Sequence, residues 1–279
     1  MRPVVLSIAG SDCSGGAGIQ ADLRAIEAGG GFAATALTAV TAQNGAGVAA
    51  TTVLGPAIVE RQLEAVFADL PVAAVKSGML GGAAPLRAVA RALRRHRPRH
   101  YVLDPVLCAG SGTRLLPRSC LGLLRDELFP LATLLTPNVP EAEALSGVEI
   151  RTLEDAERAA RTLLGFGARA VLITGGHLAA HPATDLLVTP RRVRVFAGPY
   201  LPGRDPRGTG CIHSASIATR LALGAPLEEA VAEAKRLVTE AIRHALPSRS
   251  GRGPADPLHR LHAAAPPERA RLGAREQRR

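Results

Sequence analysis

The residues most able to do chemistry lie in Arg207-Gly208-Thr209-Gly210-Cys211, followed by good helix formers from Ile212 to Leu223. A glycine-rich turn that opens a helix leaves several backbone N–H groups unpaired at the positive end of the helix dipole. Such a turn suits a phosphate. Cys211 is placed where that field and Arg207 would favour a thiolate. The expected chemistry is a phosphoryl group held by Gly208, Thr209 and Gly210 while Cys211 takes a proton from an attacking alcohol. An ordinary loop-to-helix junction with a half-buried thiol accounts for the pentapeptide alone equally well.

A second set of polar residues follows short apolar runs: Asp12, Gln43, Lys76, Asp104, Asn138 and Thr174. Lysine otherwise occurs only at position 235, so Lys76 at a strand exit suits a phosphate or carboxylate partner. Asp104-Pro105 offers a carboxylate to a metal-bound water or the side of a phosphate. Asn138 and Glu141 lie three residues apart at a helix start. They read either as a cap with a first-turn Glu or as a holder of Mg²⁺ and triphosphate. Gly16-x-Gly18-x-x-Ala21 matches a loose dinucleotide fingerprint, but the second strand ends without the required carboxylate. The sequence contains no Walker-type phosphate loop. Asp22, in the first turns of the helix after Gly18, reads most simply as a charge complementing the dipole.

These side chains need a scaffold, and the pattern supplies one. Strands are expected at Val4–Ala9, Ala33–Val40, Val72–Val75, Tyr101–Leu103, Ala132–Leu135 and Ala170–Ile173. They alternate with helices at 19–28, 56–69, 84–96, 118–127, 140–145 and 153–165. A β pair at 185–188 and 193–196 precedes the glycine loop, and a long helix runs from Leu227 to about Ala245. Alternation of this kind implies an α/β fold with a mainly parallel sheet covered on both faces. In such sheets ligands sit beyond the carboxyl ends of the strands, where the polar set falls.

Composition narrows the classes. Of 279 residues 47% are hydrophobic and 3% aromatic, without Trp, so the core is Ala, Val and Leu. One domain over 1–248 is expected, with 249–279 an Arg-rich segment, weakly packed to about 264 and disordered beyond. No apolar run nears the ~20 residues of a membrane span. The N-terminal run is too short for a signal peptide. The four cysteines show no paired short spacing and read as reduced cytoplasmic thiols. The formal charge of +10 is carried by arginines clustered in 87–99, 191–194 and the tail from Arg249 on, without interleaved aromatics, which argues against nucleic acid.

Taken in order, Ser7–Asp12, Ser14–Leu23, Thr38–Asn44, Lys76–Leu80, Leu103–Val106, Thr136–Glu143, Gly175-Gly176-His177 and Gly208–Cys211 resemble the hydroxymethylpyrimidine/phosphomethylpyrimidine kinases of thiamin biosynthesis. The resemblance covers residues 4 to 245. It implies a three-layer α/β/α ribokinase-like fold and two ATP-dependent phosphorylations of 4-amino-5-hydroxymethyl-2-methylpyrimidine, first to the monophosphate and then to the diphosphate. It assigns Gly10, Asp22, Gln43, Met79 and Val106 to the pyrimidine pocket, Cys211 to the base and the preceding glycines to the anion hole. Asp104 and Glu141 fall on the side that handles Mg²⁺ and phosphates, with Lys76, Asn138 and Thr174 beside the ATP. Family members are often homodimers. This chain carries Arg207, Thr174 and Cys13 where the family usually has His, Lys and Pro. B6 vitamer kinases share the fold and are the nearest alternative; a pyrimidine binder without turnover is another.

Overall fold

The computed structural model describes residues 1–175 and 182–263. Nine strands form a single sheet in the order β3-β2-β1-β4-β5-β6-β7-β8-β9. Its parallel heart consists of β1 (Val4–Asp12), β2 (Phe32–Asn44), β4 (Val72–Ser77), β5 (His100–Leu103), β6 (Leu134–Leu135) and β7 (Val171–Ile173). The edges are antiparallel: β3 (Gly47–Val53) on β2, then β8 (Thr184–Val188) and β9 (Val193–Ala197) beyond β7.

Helices cover both faces. One face carries α2 (Pro56–Asp69), α3 (Ala83–His96), α4 (Leu121–Glu127), α5 (Val139–Ser146) and α6 (Leu153–Gly165); the other carries α1 (Gly18–Ala28), α7 (Thr209–Ala222) and α8 (Leu227–Arg243). The core is accordingly split in two. Leu6, Ile8, Leu63, Leu86 and Leu103 fill one side of the sheet, while Val5, Ile26, Val102, Ile212 and Val231 fill the other. The alternation along β1 and β5 follows from the two-residue period of a strand buried on both faces. Among the described residues no helix is long and apolar enough to cross a membrane.

The chain departs from the expected elements in informative places. β1 runs on past Ala9 because a bulge at Ala9/Gly10 lets it keep pairing with β2 as far as Asp12↔Thr41. β2 runs on to Asn44, and Asn44 Oδ1 accepts the Ala46 N–H to turn the chain into β3, a strand with no counterpart in the expectations. α7 starts at Thr209, three residues before the expected start, so the glycine loop is itself the first helical turn.

The segment after α8, expected to pack weakly, is pinned in part. Arg207 N–H donates to Gly253 O (2.9 Å) and Ala255 N–H to Arg207 O (3.1 Å), and Ala255 and Asp256 are buried. A last short helix, α9 (His259–Ala263), follows. Gly176 and His177 of the family-like motif, and the expected disordered stretch beyond 263, lie outside the described residues.

Candidate active site

The chain runs outward from β1 through β2 to β3, then returns to lay β4 on the other side of β1. That reversal opens a crevice at the carboxyl ends of β1 and β4, where ligands of open α/β sheets bind. A cavity of about 760 Å³ lies there. It is lined by Gly10, Gln43, Lys76, Met79, Asp104, Val106, Asn138, Glu141, Thr174 and the whole of Arg207–Cys211. Asp22 is missing from this lining.

One end of the cavity is built for an anion. Gly208 caps α7 with φ +82°, a conformation that favours glycine. A Cβ there would also run into the Gly16 carbonyl oxygen, so the turn and the Ser14–Gly18 loop can approach only because both are glycine-rich. Ile212 N–H makes the first intrahelical bond, to Gly208 O at 2.9 Å. The N–H groups of Thr209, Gly210 and Cys211 therefore stand at the open start of a fourteen-residue helix.

Opposite lie two carboxylates. Glu141 closes a capping box at the start of α5: its N–H donates to Asn138 Oδ1 (2.9 Å), and its Oε2 accepts from Asn138 N–H (3.0 Å). Its Oε1 accepts from Leu107 N–H (3.2 Å). The cap and the ligand readings of Asn138/Glu141 are thus compatible, since each carboxylate oxygen retains a lone pair. Burial pushes Glu141 up to about 8, with the Asp104 charge adding to it. Burial likewise pushes Asp104 up to about 6, against the pull of Lys76 and a 3.1 Å hydrogen bond from Ser214 Oγ. Ser214 sits one turn after Cys211 on α7; that i+3 spacing was its signal in the sequence. Thr174 joins this end through a bridge to Asn138.

Two buried carboxyl groups, both raised by burial, with the Asp104 charge adding at Glu141 and the Asp22 charge adding at Asp104, form an incomplete hard-oxygen donor set. A divalent cation would hold both ionised, and Mg²⁺ is commonly bound by one or two carboxylates plus substrate phosphates. The residues fit that ion.

Lys76 occupies the middle. Its side chain is 0% exposed, and Nζ lies 2.8 Å from both carboxylate oxygens of Asp22 and 4.0 Å from Asp104 Oδ2. Ser7 Oγ donates to Asp22 Oδ2 at 2.5 Å. Burial alone would lower the lysine, but the charges of Asp22 and Asp104 hold it above its usual range, so it stays an ammonium. Asp22, expected in the pyrimidine pocket, is here fully buried, with its carboxylate bonded to Ser7 and Lys76 and outside the cavity lining. A carboxylate in the first turns of α1 follows the periodicity of that helix inward, toward the lysine of β4.

The thiol also departs from expectation. Cys211 lies in the cavity wall, and burial pushes it up to about 12, with the Asp22 and Asp104 charges adding and Lys76 and the Gly18 N–H opposing. It is a neutral thiol, and the cation acting on it is Lys76. Arg207 instead turns to the Ser14–Gly18 loop. Its Nη2 pairs with Asp12 Oδ2 (2.7 Å) and bonds Ser14 Oγ, and its guanidinium packs over Gly16. Among the described residues the buried Arg207 Nε and Nη1 find no acceptor. Asp12, which the strand-end pattern marked, thus holds the loop above the anion end.

The other end is apolar. Gly10 admits Met79, whose Sδ would be 2.9 Å from a Cβ at position 10. Thr38 Oγ1 fixes the Met79 backbone by donating to its carbonyl (2.6 Å). Val106 and Gln43, the latter at the end of β2, also line the cavity.

The whole set can thus seat a small flat molecule between Met79 and Val106, with a reactive substituent reaching the α7 N-terminus and a polyphosphate between α7 and the carboxylates. A family model described as phosphomethylpyrimidine kinase matches residues 12–256. The chain belongs to the phosphomethylpyrimidine kinase family. It is 46% identical over 264 residues to a hydroxymethylpyrimidine/phosphomethylpyrimidine kinase of Rhizobium meliloti, covering 93% of this chain and 98% of that one. It is 47% identical to a thiamine biosynthesis bifunctional protein of Geobacter sulfurreducens, of which it spans about half (52%). Among solved structures, the phosphomethylpyrimidine kinase of Clostridium difficile matches with a TM-score of 0.77 and 40% identity over 86% of this chain and 100% of that chain. An ADP complex of Bacillus subtilis pyridoxal kinase matches with 0.87 and 33% over 94% and 100%. The fold is the expected three-layer ribokinase-like one, and membership places the chain among kinases.

Proposed function

We propose that the chain transfers the γ-phosphoryl group of ATP to the hydroxymethyl oxygen of 4-amino-5-hydroxymethyl-2-methylpyrimidine, and then phosphorylates the monophosphate to the diphosphate, as a cytoplasmic step toward thiamin. The observation that carries this is the convergence of the α7 N–H groups, the Asp104/Glu141 pair and the Gly10–Met79–Val106 pocket on one cavity. The pyrimidine lies against Met79 and Val106, with Gln43 at the rim to hydrogen-bond ring nitrogens or the amino group. The hydroxymethyl oxygen points at the α7 N-terminus. There the Thr209, Gly210 and Cys211 N–H groups meet the charge that spreads over the transferring group.

The alcohol oxygen bonds to the γ-phosphorus, the bond to the bridging oxygen breaks, and ADP leaves. The alcohol proton goes to Cys211 Sγ in the small thiolate fraction that the Lys76 ammonium maintains against burial. Asp104 and Glu141 would hold Mg²⁺, which when bound neutralises phosphate charge. Asn138 and Thr174 line the wall beside the nucleotide.

A pyridoxal kinase reading has one observation in its favour: the higher TM-score to a pyridoxal kinase, against higher identity to a phosphomethylpyrimidine kinase. Measuring kcat/KM side by side for the pyrimidine alcohol, its monophosphate and pyridoxal separates the readings. The pyrimidine alcohol is expected to lead pyridoxal by at least about tenfold, the discrimination of one well-placed polar contact, roughly 1.4 kcal/mol. Preference for pyridoxal would reverse the assignment. ATP consumption absent for every acceptor, with ligand-induced thermal stabilisation retained, would make the chain a binder.

A further inference from the structure

Far from the cavity, α8 and α9 bring together Glu240, His244 and His259. Each offers one ligand atom, and these atoms all lie within 4.8 Å of one another. Glu240 lies in the last turn of α8 and His244 caps that helix one turn later, its N–H donating to Glu240 O at 3.1 Å, so the two lie on one side. His259 comes from α9, and its ring lies against that of His244 with centroids 4.3 Å apart. No part of this cluster enters the kinase chemistry.

We infer that Glu240, His244 and His259 form a binding site for a divalent transition ion of the zinc class. Two imidazoles and a carboxylate suit Zn²⁺, Co²⁺ or Ni²⁺, whereas Mg²⁺ prefers oxygen ligands alone. Three protein ligands leave a fourth position to water, as in open zinc sites. His259 is already oriented: its Nδ1 lies 3.1 Å from the Asp256 carbonyl oxygen. Donation of Nδ1–H to a backbone carbonyl fixes the tautomer and leaves Nε2 free to ligate, the usual support for a metal-binding histidine. Asp256 is itself anchored, its N–H donating to Ala241 O on α8 at 3.0 Å. Glu240 Oε1 is shared with Arg243 Nη1 at 2.7 Å. An exposed pair of that kind contributes at most about 1 kcal/mol, and Oε2 remains for the ion.

The site has a mechanical consequence. An ion there clasps α9 to α8, and with it the segment Gly253–Asp256. That segment pairs with Arg207, the residue before the anion loop. The ion therefore stabilises the docking of the C-terminal segment under the phosphate end.

The test uses the full chain, stripped of metal by a chelator and titrated with Zn²⁺ by calorimetry and with Co²⁺ by absorption, without nucleotide or pyrimidine. One ion is expected to bind with a raised thermal midpoint. The Co²⁺ complex should show visible ligand-field bands without thiolate charge-transfer bands in the near ultraviolet. His259→Ala and the surface variant Glu240→Gln should each weaken binding by at least about tenfold, the scale on which even supporting residues of metal sites act, and remove the thermal shift. Absence of saturable binding overturns the proposal. So do thiolate bands, which would place the ion on a cysteine, or unchanged binding in a His244→Ala/His259→Ala double variant.

Discussion

The two ends of the cavity are made of different materials. At the anion end stand the N–H groups of α7 and a capping box on α5 whose side chains cap the helix and, on the proposed function, also face the ligand. At the heterocycle end the walls are Gly10, Met79 and Val106, and the carboxylate that might have read the ring is turned into the protein to hold Lys76. Backbone donors can face a ligand at no cost in buried charge. A charged side chain in the same place must be paired, and here the pairing is internal. On the proposed function, specificity for the ring rests on shape and on Gln43, while charge is concentrated where phosphate would travel.

Breaking the internal pair should give the largest effect. Lys76→Met leaves the Asp22 carboxylate buried without its cation, and urea unfolding should show a loss of about 3–5 kcal/mol. The double variant Lys76→Met/Asp22→Asn should recover most of that loss. Strictly additive losses would mean the two groups do not act as a pair.

Removing a carboxylate at the anion end should cost less and act elsewhere. Glu141→Gln is expected to weaken apparent Mg²⁺ affinity by about 10–100-fold while leaving KM for the pyrimidine alcohol unchanged. A matching rise in that KM would erase the division between the two ends.

The sharpest test of the heterocycle end predicts a small number. Asp22→Asn should change KM for the pyrimidine alcohol by no more than about threefold, below the ~1 kcal/mol of a typical hydrogen bond. A rise of tenfold or more would restore Asp22 as a ring contact.

The same carboxylates also predict a pH dependence. Glu141 and Asp104 have native pKa values raised by burial, so the native state binds protons that the unfolded chain has lost. Their contribution to stability is complete below their ordinary carboxylate values and is lost as pH rises through about 6 and about 8. The metal-free thermal midpoint should decline over that window, and less so in Glu141→Gln. A midpoint that rises there would contradict the burial of the pair.

The strand ends were legible because an apolar run closing on a lone polar residue has few other meanings in an alternating α/β chain. The anion loop was legible because two glycines before a helix restrict the backbone. Four features were not. β3 is an exposed edge strand whose Ala and Thr residues carry no apolar alternation. The direction of Asp22 depends on Lys76, fifty-four positions away, and helix periodicity alone does not name a partner. The thiol's protonation turns on burial among Asp22, Asp104 and Lys76, which a local reading with Arg207 as the neighbour could not weigh. The docking of Gly253–Asp256 is a backbone pairing, to which side-chain periodicity is blind.

The central claim is that the alcohol proton leaves toward Cys211 at the start of α7. The direct measurement is the pH dependence of kcat for the wild type beside Cys211→Ala and Cys211→Asp. Alanine should lower kcat by about 10²–10⁴-fold, the range for a lost general base. Wild-type kcat should climb as pH rises toward about 12, and aspartate should keep part of the rate while flattening that climb. Full turnover in the alanine variant, or the same alkaline climb in all three proteins, would contradict the account.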